Sequence, residues 1–172
     1  MQVQNINSSN YKNHYSPNFG TMNVTKKGQK LLNKWWQHRA PKNLLKIEEW
    51  KKELADTKYF DLEIGEINGY LSMLIHQKDS FCISSNDPLR VFSTLLDNKP
   101  VGNKLTVFGH DSGSKLLSYQ LEFASEKEAE NAFNILKKYE EGKSAYSIDM
   151  IAWAVDSVKI WEKAFEHMKN PK

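Results

Sequence analysis

Apolar positions between residues 25 and 55 recur with a helical period. Leu31, Leu32, Trp35 and Trp36 stand at i, i+1, i+4 and i+5, which places them on one face of a helix over residues 25–38. Lys26, Lys27, Lys30 and Lys34 gather on its other face. Pro41 stops that helix and suits the first turn of a second, which runs to about Ala55 with Leu44, Ile47, Trp50 and Leu54 inward. The period then changes from 3.6 to 2. Over residues 59–64, Phe60, Leu62 and Ile64 alternate with Asp61 and Glu63, as in a strand with one wet face. Gly65 and Gly69 bracket a turn, and residues 70–76 read as the partner strand. Residues 80–84 read as a short third strand. Asp87-Pro88 opens a helix carrying Leu89, Phe92, Leu95 and Leu96, which Asn98-Lys99-Pro100 ends.

A second hairpin follows, with strands over 105–108 and 115–123 and a polar connection from Gly109 to Ser114. Ser125 and Glu128 form a capping box for a helix that buries Ala129, Ala132, Phe133, Leu136 and Tyr139 and stops at Gly142. Ser147 caps a last helix to about Met168. From Ile148 to Val155 only Asp149 is polar, so that half is expected to be buried on every side, within the monomer or in a homodimer. The predicted order is α-α-β-β-β-α-β-β-α-α. It implies an α+β domain, an antiparallel five-stranded sheet built from hairpins with helices packed on one face. With one helix at the front, this order resembles that of the small chaperones of bacterial type III secretion. The likeness is one of topology, without shared motif residues, and those proteins are generally acidic.

Residues 1–22 are rich in Asn and Ser, hold no acid and show no sustained apolar period, so they read as a flexible segment ahead of a single domain over 23–172. They lack the basic start and apolar run of a secretory signal peptide. No stretch is long and apolar enough to span a membrane. Cys82 is the single cysteine, so no intrachain disulfide forms, which fits a reducing cytoplasm.

Charge changes this picture. The first acid is Glu48, and ahead of it stand Lys12, Lys26, Lys27, Lys30, Lys34, Arg39, Lys42 and Lys46. These eight of the 24 basic residues leave 16 against all 21 acids in the remainder, so a net +3 hides a basic front and an acidic body. Such polarity reports a segment that meets an acidic surface, on a partner or on the chain itself. Lysines outnumber arginines 22 to 2. Base-edge readout favours the planar arginine fork, so sequence-specific nucleic-acid binding is not expected.

Candidate chemistry is sparse. Asp111-Ser112-Gly113 resembles the nucleophile tripeptide of trypsin-like serine proteases, but His110 stands where that family has Gly, and Ser114-Lys115 replaces Gly-Pro. A polar hairpin tip accounts for it. Cys82 with His76 or His110 would supply a thiolate and a base, yet Cys82 lies between Phe81 and Ile83 as a small core residue would. The five histidines show no metal-ligand spacing. Asp61, Glu63 and Glu66 make the best carboxylate cluster, with solvated edge-strand charge as its plainer reading. No phosphate-cradling glycine loop occurs. The expectation is a small, bacterial-type, non-catalytic binding or adaptor protein without metal or cofactor. Its site is Lys26, Lys27, Lys30 and Lys34, and its partner is an acidic protein surface. An exported effector or toxin-like protein with residues 1–22 as export signal is the first alternative, and non-specific nucleic-acid binding the second.

Overall fold

The computed structural model describes residues 22–77, 89–90, 99–110, 116–141 and 147–172. Their order is β1 (Met22–Val24), α1 (Lys26–Trp36), α2 (Pro41–Glu53), β2 (Phe60–Ile67), β3 (Tyr70–Gln77), β4 (Leu89–Arg90), β5 (Lys104–His110), β6 (Leu116–Glu122), α3 (Glu126–Glu141) and α4 (Ser147–Lys169). The domain is α+β, with four helices among the described residues.

The expected single five-stranded antiparallel sheet is corrected. Strands β1–β3 form one small sheet and β5–β6 another. The two-residue β4 links them, meeting β3 at two register pairs and β5 only at Arg90↔His110, in the order β1-β2-β3-β4-β5-β6. Strand β1 is also new, and it runs parallel to β2 with Val24 opposite Ile64. The parallel pairing exists because α1 and α2 carry the chain back between the two strands, as a crossover must. Three residues are too few to show a period, which is why the pattern did not reveal it. Met22, which the sequence pattern places in the N-terminal segment, is buried in β1, and residues 1–21 lie outside the described residues. The strand expected over 80–84 lies outside the described residues. So does most of the helix expected after Asp87-Pro88, but Leu89 and Arg90 are in β4.

Alternation along β2 builds the core. Phe60, Leu62 and Ile64 are fully buried, while Asp61 and Glu63 are half-exposed on the opposite face. Leu105, Val107 and Leu121 of the second hairpin bury the same way, and all belong to one apolar cluster with Leu32, Trp36, Ile47, Trp50, Ile151 and Trp161. Helix α4 supplies the aromatic contacts. Phe60 meets Trp161 and Phe165 edge-on, at 5.5 and 4.7 Å between centroids, the geometry that aligns ring edges with ring faces. The first half of α4 is less enclosed than expected. Ile151, Ala154 and Val155 are buried, but Ala152 and Trp153 are half-buried and Met150 is 40% exposed. The helix lies along the sheet, so one side still faces outward despite its apolar sequence.

A carboxylate on α4 fixes the entry to β2. Glu162 accepts from the backbone N–H groups of Lys58, of Tyr59 at 2.9 Å and of Phe60 at 3.2 Å. One turn on, Glu166 accepts from the Tyr59 hydroxyl at 2.8 Å and pairs with Lys58 at 3.4 Å. The Tyr59 hydrogen bond, chiefly, holds the Glu166 carboxyl below its usual range. The same bond raises the Tyr59 phenol.

Candidate partner-binding surface

Helix α1 begins where β1 ends. The Thr25 hydroxyl accepts from the Gly28 N–H at 3.0 Å, the side-chain cap that starts the helix, and the Thr25 N–H donates to the Ile64 carbonyl at 2.9 Å. The cap is therefore bonded both to its own helix and to β2. Gly28 tightens the join. A Cβ there would lie 2.7 Å from the Ile64 carbonyl oxygen and 3.1 Å from Gly65 Cα, nearer than side chains approach backbone. Only glycine lets helix and strand sit this close.

With that anchor, the faces of α1 divide as the pattern predicts. Leu32 and Trp36 are buried, and Leu31 and Trp35 are half-buried, Trp35 against the core. Lys26, Lys27, Lys30 and Lys34 are all exposed, strung along about 12 Å of helix at 1.5 Å per residue. None of the four makes an ion pair with a described residue. The body's acids pair elsewhere: Glu49 with Lys46, Glu48 with Lys51, Glu122 with Lys104, Glu53 with Lys159 and Glu128 with Lys163.

The start of the stripe runs against the helix's own electrostatics, whereas Lys34, in the last turn, suits them. A helix N-terminus carries about half a positive charge and favours acids in its first turn. Helix α1 has no acid there and has Lys26 and Lys27 instead, and α2 likewise has none behind Pro41 and Lys42. Arg39 is exposed between them.

The other sequence candidates fare differently. Asp61, Glu63 and Glu66 do not form one cluster. Asp61 and Glu63 share the face away from the core, whereas the Glu66 carboxylate accepts from the Gly69 N–H and closes the β2–β3 turn. Strand β2 is flanked by β1 and β3, so its carboxylates are not edge charges. His76 stands opposite Asp61, and burial, partly opposed by Glu63 and Asp61, pushes its imidazole below the usual range. Both His76 and Asp61 are engaged by neighbours. No cluster of three or more His, Cys, Asp or Glu suited to a metal ion occurs among the described residues. Cys82 and Asp111-Ser112-Gly113 lie outside them. Among the described residues, no helix is long and apolar enough to cross a membrane.

Two features have little or no local signature in the sequence. Glu162 meets residues more than a hundred positions away, and nothing local marks it. The exposed pair Ile67 and Tyr70 at the β2–β3 turn had a signal, Asn68-Gly69 between apolar residues, but their exposure depends on which face the helices cover. No family model, curated protein or solved structure matches the chain.

Proposed function

We propose that this protein is a small non-catalytic binding or adaptor module that engages an acidic protein surface through Lys26, Lys27, Lys30 and Lys34. The observation that carries the reading is that these four exposed lysines have no ion-pair partner among the described residues, on a helix whose other face is fixed to the core. Had the stripe served to neutralise the acidic body, its lysines would be drawn to that body's carboxylates. Several of those carboxylates pair instead with lysines of α2, α4 and the strands. Two lysines in the first turn of α1 cost the isolated fold stability, and local conflicts of this kind concentrate at functional sites. An arriving carboxylate relieves them. The near-absence of arginine favours a partner read as charge over one read by bidentate geometry. The lone cysteine suits a reducing compartment such as a bacterial cytoplasm.

The test uses three polyanions on the full chain: poly-glutamate, single-stranded DNA and vesicles containing phosphatidylserine. The Lys30→Glu, Lys34→Glu double variant is expected to lose most of its affinity for poly-glutamate while melting at the wild-type temperature. Stronger lysine-dependent binding to DNA would favour the non-specific nucleic-acid reading. Unchanged affinity for all three would remove the stripe as a site.

A further inference from the structure

The β2–β3 turn presents an exposed apolar pair near the start of α1. Tyr70 is 76% exposed and Ile67, its register partner, 43%. They flank Asn68 and Gly69, whose φ angles of 54° and 83° give both central residues the left-handed conformation of a tight hairpin turn. The Glu66 carboxylate bonded to the Gly69 N–H stiffens that turn and is thereby occupied. Scattered apolar side chains on a surface are ordinary. Two side by side on a rigid turn, close to the start of α1, offer a small aromatic and aliphatic contact of the kind that centres an interface.

The packing sets their place relative to α1. Ile67 and Gly65 share one face of β2, and a Cβ on Gly65 would lie 3.6 Å from Thr25 Oγ1 and 3.7 Å from its Cγ2. Thr25, the cap of α1, therefore stands on the same face as the apolar pair. Lys26 and Lys27 follow it directly. Ile67 lies two residues beyond Gly65, about 7 Å at the rise of a strand. Glu63, two residues to the other side on that face, bounds the patch.

We infer that the partner of the lysine stripe is an acidic protein segment bearing apolar side chains among its carboxylates. Ile67 and Tyr70 receive those side chains while Lys26 and Lys27 meet the charge. This rests on the function proposed above and adds the partner's chemistry to it. Charge complementarity selects the acid, and the small size of the apolar pair selects a protein segment. A bilayer is held instead through the broad apolar face of an interfacial helix.

Two synthetic peptides of equal length and charge test this on the full chain by fluorescence anisotropy. One contains only Glu and Ser; in the other, Leu and Phe replace two of the serines. The apolar peptide is expected to bind about tenfold more tightly, a difference of about 1.4 kcal/mol. In the Ile67→Thr, Tyr70→Thr variant that advantage disappears, while affinity for the Glu/Ser peptide is unchanged. Thr keeps the strand preference and both sites lie outside the core, so the melting temperature holds; the single Tyr70→Thr variant repeats the readout with a smaller change. Lys26→Glu with Lys27→Glu weakens both peptides. Equal binding of the two peptides to wild type would overturn the apolar component and leave the lysine reading standing. Failure of both peptides to bind at low salt would overturn the lysine reading itself. Tyr70-dependent binding to vesicles one-third phosphatidylserine, with neither peptide bound, would overturn the assignment to a protein.

Discussion

Gly28 shows how a single residue sets the site. A glycine inside an exposed helix costs about 1 kcal/mol relative to alanine, so replacement should stabilise α1 taken alone. Here the added methyl would meet the Ile64 carbonyl oxygen at 2.7 Å, and overpacking against backbone costs about 1–3 kcal/mol. The clash outweighs the helix gain. Gly28→Ala is expected to lower stability, by up to about 2 kcal/mol in urea denaturation, and a raised midpoint would mean that helix and strand are not held this close. Tyr139 gives a pH-dependent counterpart. Its hydroxyl donates to Asp156 at 2.7 Å, joining α3 to α4. Burial first, and then that hydrogen bond, raise the phenol well above its ordinary value. A group with a raised folded pKa contributes stability that is complete below its unfolded pKa, about 10 for tyrosine, and is lost as pH rises through the folded value. Wild type should thus exceed Tyr139→Phe in stability by a constant margin from pH 7 to 9, and the margin should shrink by pH 11. Equal margins at both ends would show that folding does not raise the phenol's pKa.

At the scale of elements, α4 and β2 are joined by a device the sequence did not announce. One Glu162 carboxylate satisfies three consecutive backbone donors where the chain enters β2. Removing it leaves these groups without their acceptor, which costs about 1–3 kcal/mol when such groups are shielded from water. Glu162→Ala should lose about that much in denaturant unfolding, and Glu162→Gln, which keeps one acceptor oxygen, less. An alanine variant as stable as wild type would show that water takes over the role. The elements themselves were legible wherever the period was long enough. Leu32 with Trp36 and the alternation of Phe60, Leu62 and Ile64 point to the buried faces found in α1 and β2. Ser125 caps α3 through the Glu128 N–H, one half of the expected capping box, while the Glu128 carboxylate pairs with Lys163. Three-residue β1 and two-residue β4 were not legible, because pairing defines them and periodicity does not. The apolar first half of α4 misled for a related reason. Composition says how much of a helix tolerates burial, while its neighbours decide how much is buried, and Met150 faces out.

For the whole molecule, the polarity of the chain survives folding. The four lysines of α1 were readable because helical spacing separates them from Leu32 and Trp36, and folding leaves them exposed. The apolar pair beside them was not, because Ile67 and Tyr70 alternate like any strand residues until the helices choose a face. This charge is either directed at a partner, as proposed above, or balanced against the chain's own acidic body. Exposed charges are screened beyond about 8 Å at physiological ionic strength, so both alternatives predict salt dependence, but of different quantities. The most direct measurement takes wild type and the Lys30→Glu, Lys34→Glu variant at low and physiological salt, recording the melting temperature and the affinity for the acidic Leu/Phe peptide. If the charge is directed at a partner, wild-type affinity falls steeply with salt, the variant binds weakly at both concentrations, and the two proteins melt together throughout. A variant that binds like wild type but melts lower at low salt would contradict the partner reading.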